Sequence, residues 1–255
     1  MSYEAIIYEK KDQIVHITLN RPEKLNAYSL QMMNELVDAW KTFGEDRDAH
    51  IAILTGAGRS FCVGLDIRER EPTIPDISDF LAYTPKKAGV YKPVISAING
   101  SCVGGGLRFL IESDLQICSE EAFFMDAHTS VGITAEREML ALSRRIGYNH
   151  ALRMGLMGRH ERISGQQALA LGLVSEVVPQ ENLLPRALEL AETIRKNAPL
   201  ALEGSIELMW KSQSMGLEQA IGLADQFLRW NSMTEDFQEG PRAFGEKREP
   251  KWKGY

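Results

Sequence analysis

The 255-residue chain has only three cysteines, Cys62, Cys102 and Cys118. They are widely spaced and form no Cys-x-x-Cys pair, so neither a disulfide framework nor a zinc site is expected. Basic residues are outnumbered, 29 against 35 acidic, for a formal net charge of −6. That balance argues against nucleic acid or an anionic membrane surface as the main partner, though not against a small anion held by local charges. No uninterrupted apolar run approaches the roughly 18 residues of a membrane span. The opening Met1-Ser2-Tyr3-Glu4 lacks the basic and apolar regions of a signal peptide, so a cytoplasmic protein is expected. Three signatures of common chemistries are missing: the G-x-S-x-G elbow, the H-E-x-x-H zinc motif and the G-x-x-x-x-G-K phosphate loop.

The chain that remains is ordinary in bulk, 44% apolar and 25% charged, which excludes wholesale disorder. Its first half alternates strand and helix signals. Val15, Ile17 and Leu19 alternate with more polar neighbours and read as a half-buried strand ending at Asn20-Arg21-Pro22. Ser29 is a candidate N-cap for a helix in which Met33, Leu36, Val37, Trp40 and Phe43 share a face. Ile51 to Thr55 and Val94 to Ile98 are nearly all apolar, as strands covered on both faces are. Leu115 to Ser119 and Ala122 to Met125 continue the strand pattern. Beyond about residue 136 helical periodicity dominates, broken by a short β run at Val174–Val178, with Ser164 able to cap a helix. The expected fold is an α/β core over residues 1–195 followed by a helical C-terminal region, 196–255.

Two stretches stand apart. Residues 67–92 carry alternating charges and Pro72, Pro75 and Pro85 without clear periodicity, which suits either a loop beside a site or a solvated connection. The tail from Arg242 to Lys253 has five basic and two acidic residues, a local +3 that opposes the overall sign.

Two glycine-rich loops carry the chemical signal. Gly104-Gly105-Gly106 follows the 94–98 strand, with the apolar run from Leu107 behind it. Glycines at such a junction expose backbone N–H groups to a ligand, although a tight turn or close helix packing would also use them. Gly56 to Asp66, after the 51–55 strand, is a second such loop. Two loops after two strands of one sheet could each aim one N–H at a single oxygen, forming an oxyanion hole.

The string Arg59-Ser60-Phe61-Cys62-Val63-Gly64-Leu65-Asp66-Ile67 resembles the first oxyanion loop of the crotonase, or enoyl-CoA hydratase/isomerase, superfamily. Lys92 to Gly106 (KPVISAINGSCVGGG) resembles the second. Supporting matches are Leu19-Asn20-Arg21-Pro22 with Asn26-Ala27, Ala168 to Val178, and Ala243 to Arg248. The resemblance covers nearly the whole chain. It implies a crotonase-like ββα spiral with a helical trimerisation region, and a coenzyme A thioester as substrate with no metal or redox cofactor. It implies that the N–H groups of Leu65 and Gly105 hold the thioester oxygen and stabilise an enolate. Lys24, Ala27 and the stretch Leu65, Asp66, Ile67 and Arg68 would line the coenzyme A path. Phe244 and Lys247 would reach the coenzyme of a neighbouring subunit in a homotrimer or hexamer.

The chain departs from the family where the chemistry is done. Hydratases of the family use two glutamates, and at those positions stand Arg108 and, in the segment 124–132, His128. Imidazole can move protons at neutral pH, so His128 is the candidate acid/base group, with Asp126 either orienting it or capping a turn. If both lay on one strand they would share a face. Glu136 and Glu138 follow. Relatives place a catalytic acid near Glu136, while acids that merely begin a helix are the simpler explanation of both. Arg108 either pairs with Glu112, four residues on, or sets a cation in the pocket. His16, His50, His150 and His160 have no chemical partner in sequence and are read as structural. The expected activity is that of an acyl-CoA-processing enzyme, whether a hydratase/isomerase or a carbon–carbon hydrolase of a β-dicarbonyl. A non-catalytic acyl-CoA binder and an enzyme acting on a free ketone are the rivals.

Overall fold

The structure, a computed structural model, describes residues 3–68 and 81–254. Its strands fall into two sheets. The larger contains β1 (Ile6–Lys11), β2 (Ile14–Leu19), β3 (Ile51–Gly56), β5 (Val94–Ile98), β7 (Leu115–Ser119) and β10 (Glu176–Val178), in that spatial order. Only β1–β2 is antiparallel. The smaller contains β4 (Ser60–Cys62), β6 (Ser101–Val103), β8 (Phe123–Met125) and the two-residue β9 (Ile163–Ser164). Consecutive strands therefore visit the two sheets in turn: β3 then β4, β5 then β6, β7 then β8. The parallel pairing within each sheet advances one strand at each visit.

Nine helices pack on or follow these strands among the described residues: α1 (Leu30–Glu45), α2 (Leu107–Glu112), α3 (Arg137–Arg145), α4 (Tyr148–Met157), α5 (Gly165–Ala170), α6 (Leu183–Ile194), α7 (Pro199–Ser212), α8 (Leu217–Asn231) and α9 (Glu235–Glu246). The expected caps operate. Ser29 Oγ accepts from Met32 N at 3.2 Å to start α1, and Ser164 and Gln167 form a reciprocal capping box at α5.

The all-apolar run of β3 is explained by its two faces. Ala52 and Leu54 join the main core, where α1 buries Trp40 and Phe43. Ile51 and Ile53 pack in a second core with Leu183, Ala187 and Ala191 of α6. A strand covered by helices on both sides has no polar face to show.

Packing decides what two stretches left open by their pattern do. The +3 tail is not a free basic patch: Arg242 and Arg248 pair with Glu239, Lys253 pairs with Glu235, and Asp236 accepts from the backbone N–H groups of Lys253 and Gly254. The tail folds back onto the acidic side chains of α9, a pairing across a turn that composition could not reveal. The segment 67–92 is not a solvated connection in its described half. There Tyr83, Thr84, Lys86 and Lys92 are buried, and Trp40 Nε1 donates to Tyr83 O at 2.9 Å. Residues 69–80 lie outside the described part.

Candidate active site

Three parallel strands of the smaller sheet end side by side. Cys62 of β4 is in register with Cys102 of β6, and Val103 of β6 with Met125 of β8. The chain leaving each end supplies one component: residues 63–68, the glycines 104–106, and residues 126–128. Carboxyl ends of neighbouring parallel strands gather loops in this way because the strands themselves fix the spacing.

The first loop is braced from behind. Arg21 N donates to Asn26 Oδ1 at 2.9 Å, and Asn26 Nδ2 donates to Ala57 O at 2.9 Å and Ser60 O at 2.7 Å. Tyr28 bridges Leu65 in parallel, bonding Gly64 O at 2.9 Å and Asp66 N at 3.0 Å. That pattern uses the groups on either side of Leu65 and turns the N–H of Leu65 away from the bridge.

The two glycine loops touch. Gly64 has φ +90°, and a methyl on it would come 3.0 Å from Gly105 N. A methyl on Gly106 would come 2.3 Å from Cys62 O. No side chain fits between these backbones.

His128 closes the third side. A methyl on Gly104 would lie 3.6 Å from His128 Cε1 and 3.9 Å from Nε2, so the imidazole rests against the second loop. Asp126, fully buried, accepts from His128 N at 2.9 Å and from Nδ1 at 2.8 Å through the same oxygen. A carboxylate acceptor keeps the proton on Nδ1 and leaves Nε2 with a lone pair when the ring is neutral. The hydrogen bond to Asp126 raises the imidazole pKa despite the opposing effect of burial. The pair does not share a strand face, because β8 stops at Met125 and His128 has helical φ −56°, ψ −50°. A local turn makes the contact.

Arg108 does not pair with Glu112, whose carboxylate instead accepts from the backbone N–H groups of Lys86 and Lys87. Helical spacing allows the pair, but Arg108 turns to Glu138, at the start of α3, and to the Tyr83 hydroxyl at 3.2 Å. Burial lowers the Arg108 pKa, but Tyr83 and Glu138 outweigh it, and the net shift is upward, so the guanidinium stays charged. Burial raises the Tyr83 and Tyr28 pKa values, and both remain neutral phenols. Glu138 Oε2 and Asp126 Oδ2 are buried without a partner among the described residues.

The other expected positions divide by exposure. Lys24, Ile67 and Arg68 are exposed near the first loop, whereas Ala27 is buried. Asp66 is also buried, accepting from Arg68 N at 3.3 Å and pairing with Arg21 at 3.3 Å. Glu136 is exposed at the N-cap of α3 and makes no capping bond. Phe244, 88% exposed, and Lys247, with φ +56° at the end of α9, stand together on the surface. Tyr83 was not anticipated: its segment is proline-punctuated and lacks periodicity. Glu138 had no signal beyond its place at a helix start, since its partner lies 30 residues back. Among the described residues, no group of three His, Cys, Asp or Glu could hold a metal ion. No helix there is long and apolar enough to cross a membrane.

The sequence profile described as "Enoyl-CoA hydratase/isomerase" matches residues 9–255. The chain is 36% identical over 248 residues to "Probable enoyl-CoA hydratase, mitochondrial" of Dictyostelium discoideum, covering 96% of this chain and 89% of that protein. It is 35% identical to "(E)-benzylidenesuccinyl-CoA hydratase" of Thauera aromatica, covering 98% of this chain and 99% of that one. Its backbone superposes on a crystal structure of an enoyl-CoA hydratase/isomerase from Mycobacterium paratuberculosis with a TM-score of 0.93 at 40% identity, over 100% of both chains.

Proposed function

The chain belongs to the enoyl-CoA hydratase/isomerase family, and on that premise we propose that it is an acyl-CoA-processing enzyme whose His128 moves the proton on the α-carbon. In this reading the N–H groups of Leu65 and Gly105 hold the thioester oxygen, and the enolate forms as His128 Nε2 takes the proton. Asp126 keeps the other ring nitrogen protonated and so keeps Nε2 available as the base. The carrying observation is the meeting of the two glycine loops at Gly64 and Gly105 with the imidazole packed on Gly104. Two N–H donors fixed before the reaction cost no reorganisation when charge develops, and loss of one such donor typically costs about a hundredfold to a thousandfold in rate.

Hydration by paired glutamates does not fit this chain, because the position two residues after the triple glycine carries Arg108, itself tied to Glu138. One histidine suits proton abstraction and return, as in isomerisation or enolate protonation after bond cleavage. Glu136 remains a candidate second acid, reached from its exposed place at the head of α3.

For the coenzyme, the exposed cations Lys24 and Arg68 flank the first loop and would meet phosphate, with Ala27, Asp66 and Ile67 shaping the path. Phe244 and Lys247 would meet the coenzyme of a neighbouring protomer. Self-association as a homotrimer or hexamer is supported by the apolar side chains left outside on α8 and the turn that follows it. Leu217 is 78%, Leu228 60% and Met233 78% exposed. Location in the cytoplasm, with an acyl-CoA ligand and no nucleic-acid or membrane partner, completes the proposal.

The test is a His128→Ala variant assayed with a panel of enoyl- and β-oxoacyl-CoA thioesters. Turnover should fall by about a hundredfold or more while thioester binding survives, which is the size general acid–base groups contribute. Unchanged turnover would remove His128 from the mechanism. Thioester binding with no product from the wild type on any of the panel would favour a non-catalytic binder.

A further inference from the structure

The neighbourhood of Arg108 offers more hydrogen-bond donors than its own acceptors use. A guanidinium carries five N–H groups. Nε donates to Glu138 and Nη1 to the Tyr83 hydroxyl at 3.2 Å, and no further partner of the guanidinium exists among the described residues. Glu138 Oε2 has no partner among the described residues either, but it is buried, so the open donors that a ligand can reach belong to the arginine, whose side chain keeps 18% exposure where that of Glu138 keeps 1%.

This cluster adjoins the second glycine loop. The Tyr83 hydroxyl donates to the Tyr28 hydroxyl at 3.4 Å. Tyr28 Oη in turn lies 2.0 Å from where a methyl on Gly105 would sit. The guanidinium is therefore two hydrogen bonds from the Tyr28 hydroxyl, which packs against the backbone that would hold the thioester oxygen. Arg108 and Glu138 also lie near enough to His128 to influence its titration, in opposite directions. A plain alkyl chain laid against these N–H groups would strip their water and return no acceptor.

We propose that the acyl group carries a second carbonyl-type oxygen, from a ketone or a carboxylate, which Arg108 holds through its spare N–H groups. Glu138 and Tyr83 are positioning residues that fix the plane of the guanidinium. This specificity rests on the thioester reading above and narrows its substrate class from acyl-CoA at large to oxygen-bearing acyl groups.

The experiment is calorimetric binding of three thioesters of equal chain length to the wild-type protein: pentanoyl-CoA, 3-oxopentanoyl-CoA and glutaryl-CoA. At least one oxygen-bearing ligand should bind about tenfold tighter than pentanoyl-CoA, equivalent to about 1.4 kcal/mol, and its identity tells ketone from carboxylate. In the double variant Arg108→Met/Glu138→Gln, which removes both members of the pair rather than stranding one charge, that ratio should collapse to about one. Tyr83→Phe should reduce it part way, because the guanidinium loses one of its two fixed anchors. Equal binding of all three ligands, tighter pentanoyl-CoA binding, or a preference that survives the double variant would each overturn the proposal while leaving the thioester reading intact. Failure of all three to bind would instead strike the thioester reading, and this proposal with it.

Discussion

Strand β3 and helix α8 are both rich in apolar residues, and the fold treats them oppositely. All six residues of β3 are buried, with one core on each face. Helix α8 has no buried residue, and Leu217, Ile221 and Leu228 stand exposed. The sheets and their glycine loops find their partners within one protomer, whereas the last helices present an apolar face that the described residues of the chain do not cover. An amphipathic pattern specifies that a face must be covered and is silent on whether the cover comes from the same chain.

The sharpest way to break this contrast is to crowd the self-sufficient region. Gly106→Ala drives a methyl to 2.3 Å from Cys62 O, where only backbone can yield. It should destabilise the protomer by about 3 kcal/mol in chemical unfolding and lower turnover with it. Next comes the uncovered region. Leu217→Glu with Leu228→Glu places charges on the exposed face of α8. Analytical ultracentrifugation should show loss of the assembled species, while circular dichroism of the core helices and strands is retained. An unchanged sedimentation profile would mean that α8 does not mediate assembly.

A subtler change acts inside the site. The Asp126 hydrogen bond raises the His128 pKa, and activity that needs the neutral imidazole rises with pH through that pKa. In Asp126→Asn the pKa falls, so the acidic limb of the pH–rate profile should move to lower pH, with a lower plateau because the tautomer is no longer held. The stability sign is opposite in sense. A raised histidine pKa contributes stability that is complete below the unfolded-state value and is lost as pH rises through the folded-state value. The wild type should therefore lose an increment of stability across that window which the variant lacks. The smallest effect is expected from Gly222→Ala in α8, where nothing lies within 4 Å of the new methyl. It should stabilise the helix by about 0.5–1 kcal/mol, the opposite sign to the same change at Gly106.

Much of this was legible in the sequence because it is local. The caps at Ser29 and Ser164, the doubly buried runs of β3 and β5, and the glycine loops all follow from short-range pattern and turn chemistry. The pairing of Asp126 with His128 was also within reach, two residues apart, although a turn and not a strand brings them together. What lay beyond reach depends on distant packing. Arg108 had Glu112 at ideal helical spacing, yet the fold offered it Glu138 on another helix and Tyr83 from 25 residues earlier in the chain. Much of the tail's charge is paired for the same reason, since Glu239 and Glu235 meet Arg248 and Lys253 only after the chain turns back. Spacing indicates which partners are possible, and packing selects among them.

The central claim is that His128 transfers the α-proton of a thioester held at Leu65 and Gly105. Its most direct measurement is deuterium incorporation from D2O into the α-carbon of a bound saturated acyl-CoA, followed by mass spectrometry. Steady exchange is expected in the wild type and exchange at the uncatalysed rate in His128→Ala, with the thioester still bound. Exchange at the wild-type rate in the variant would contradict that claim.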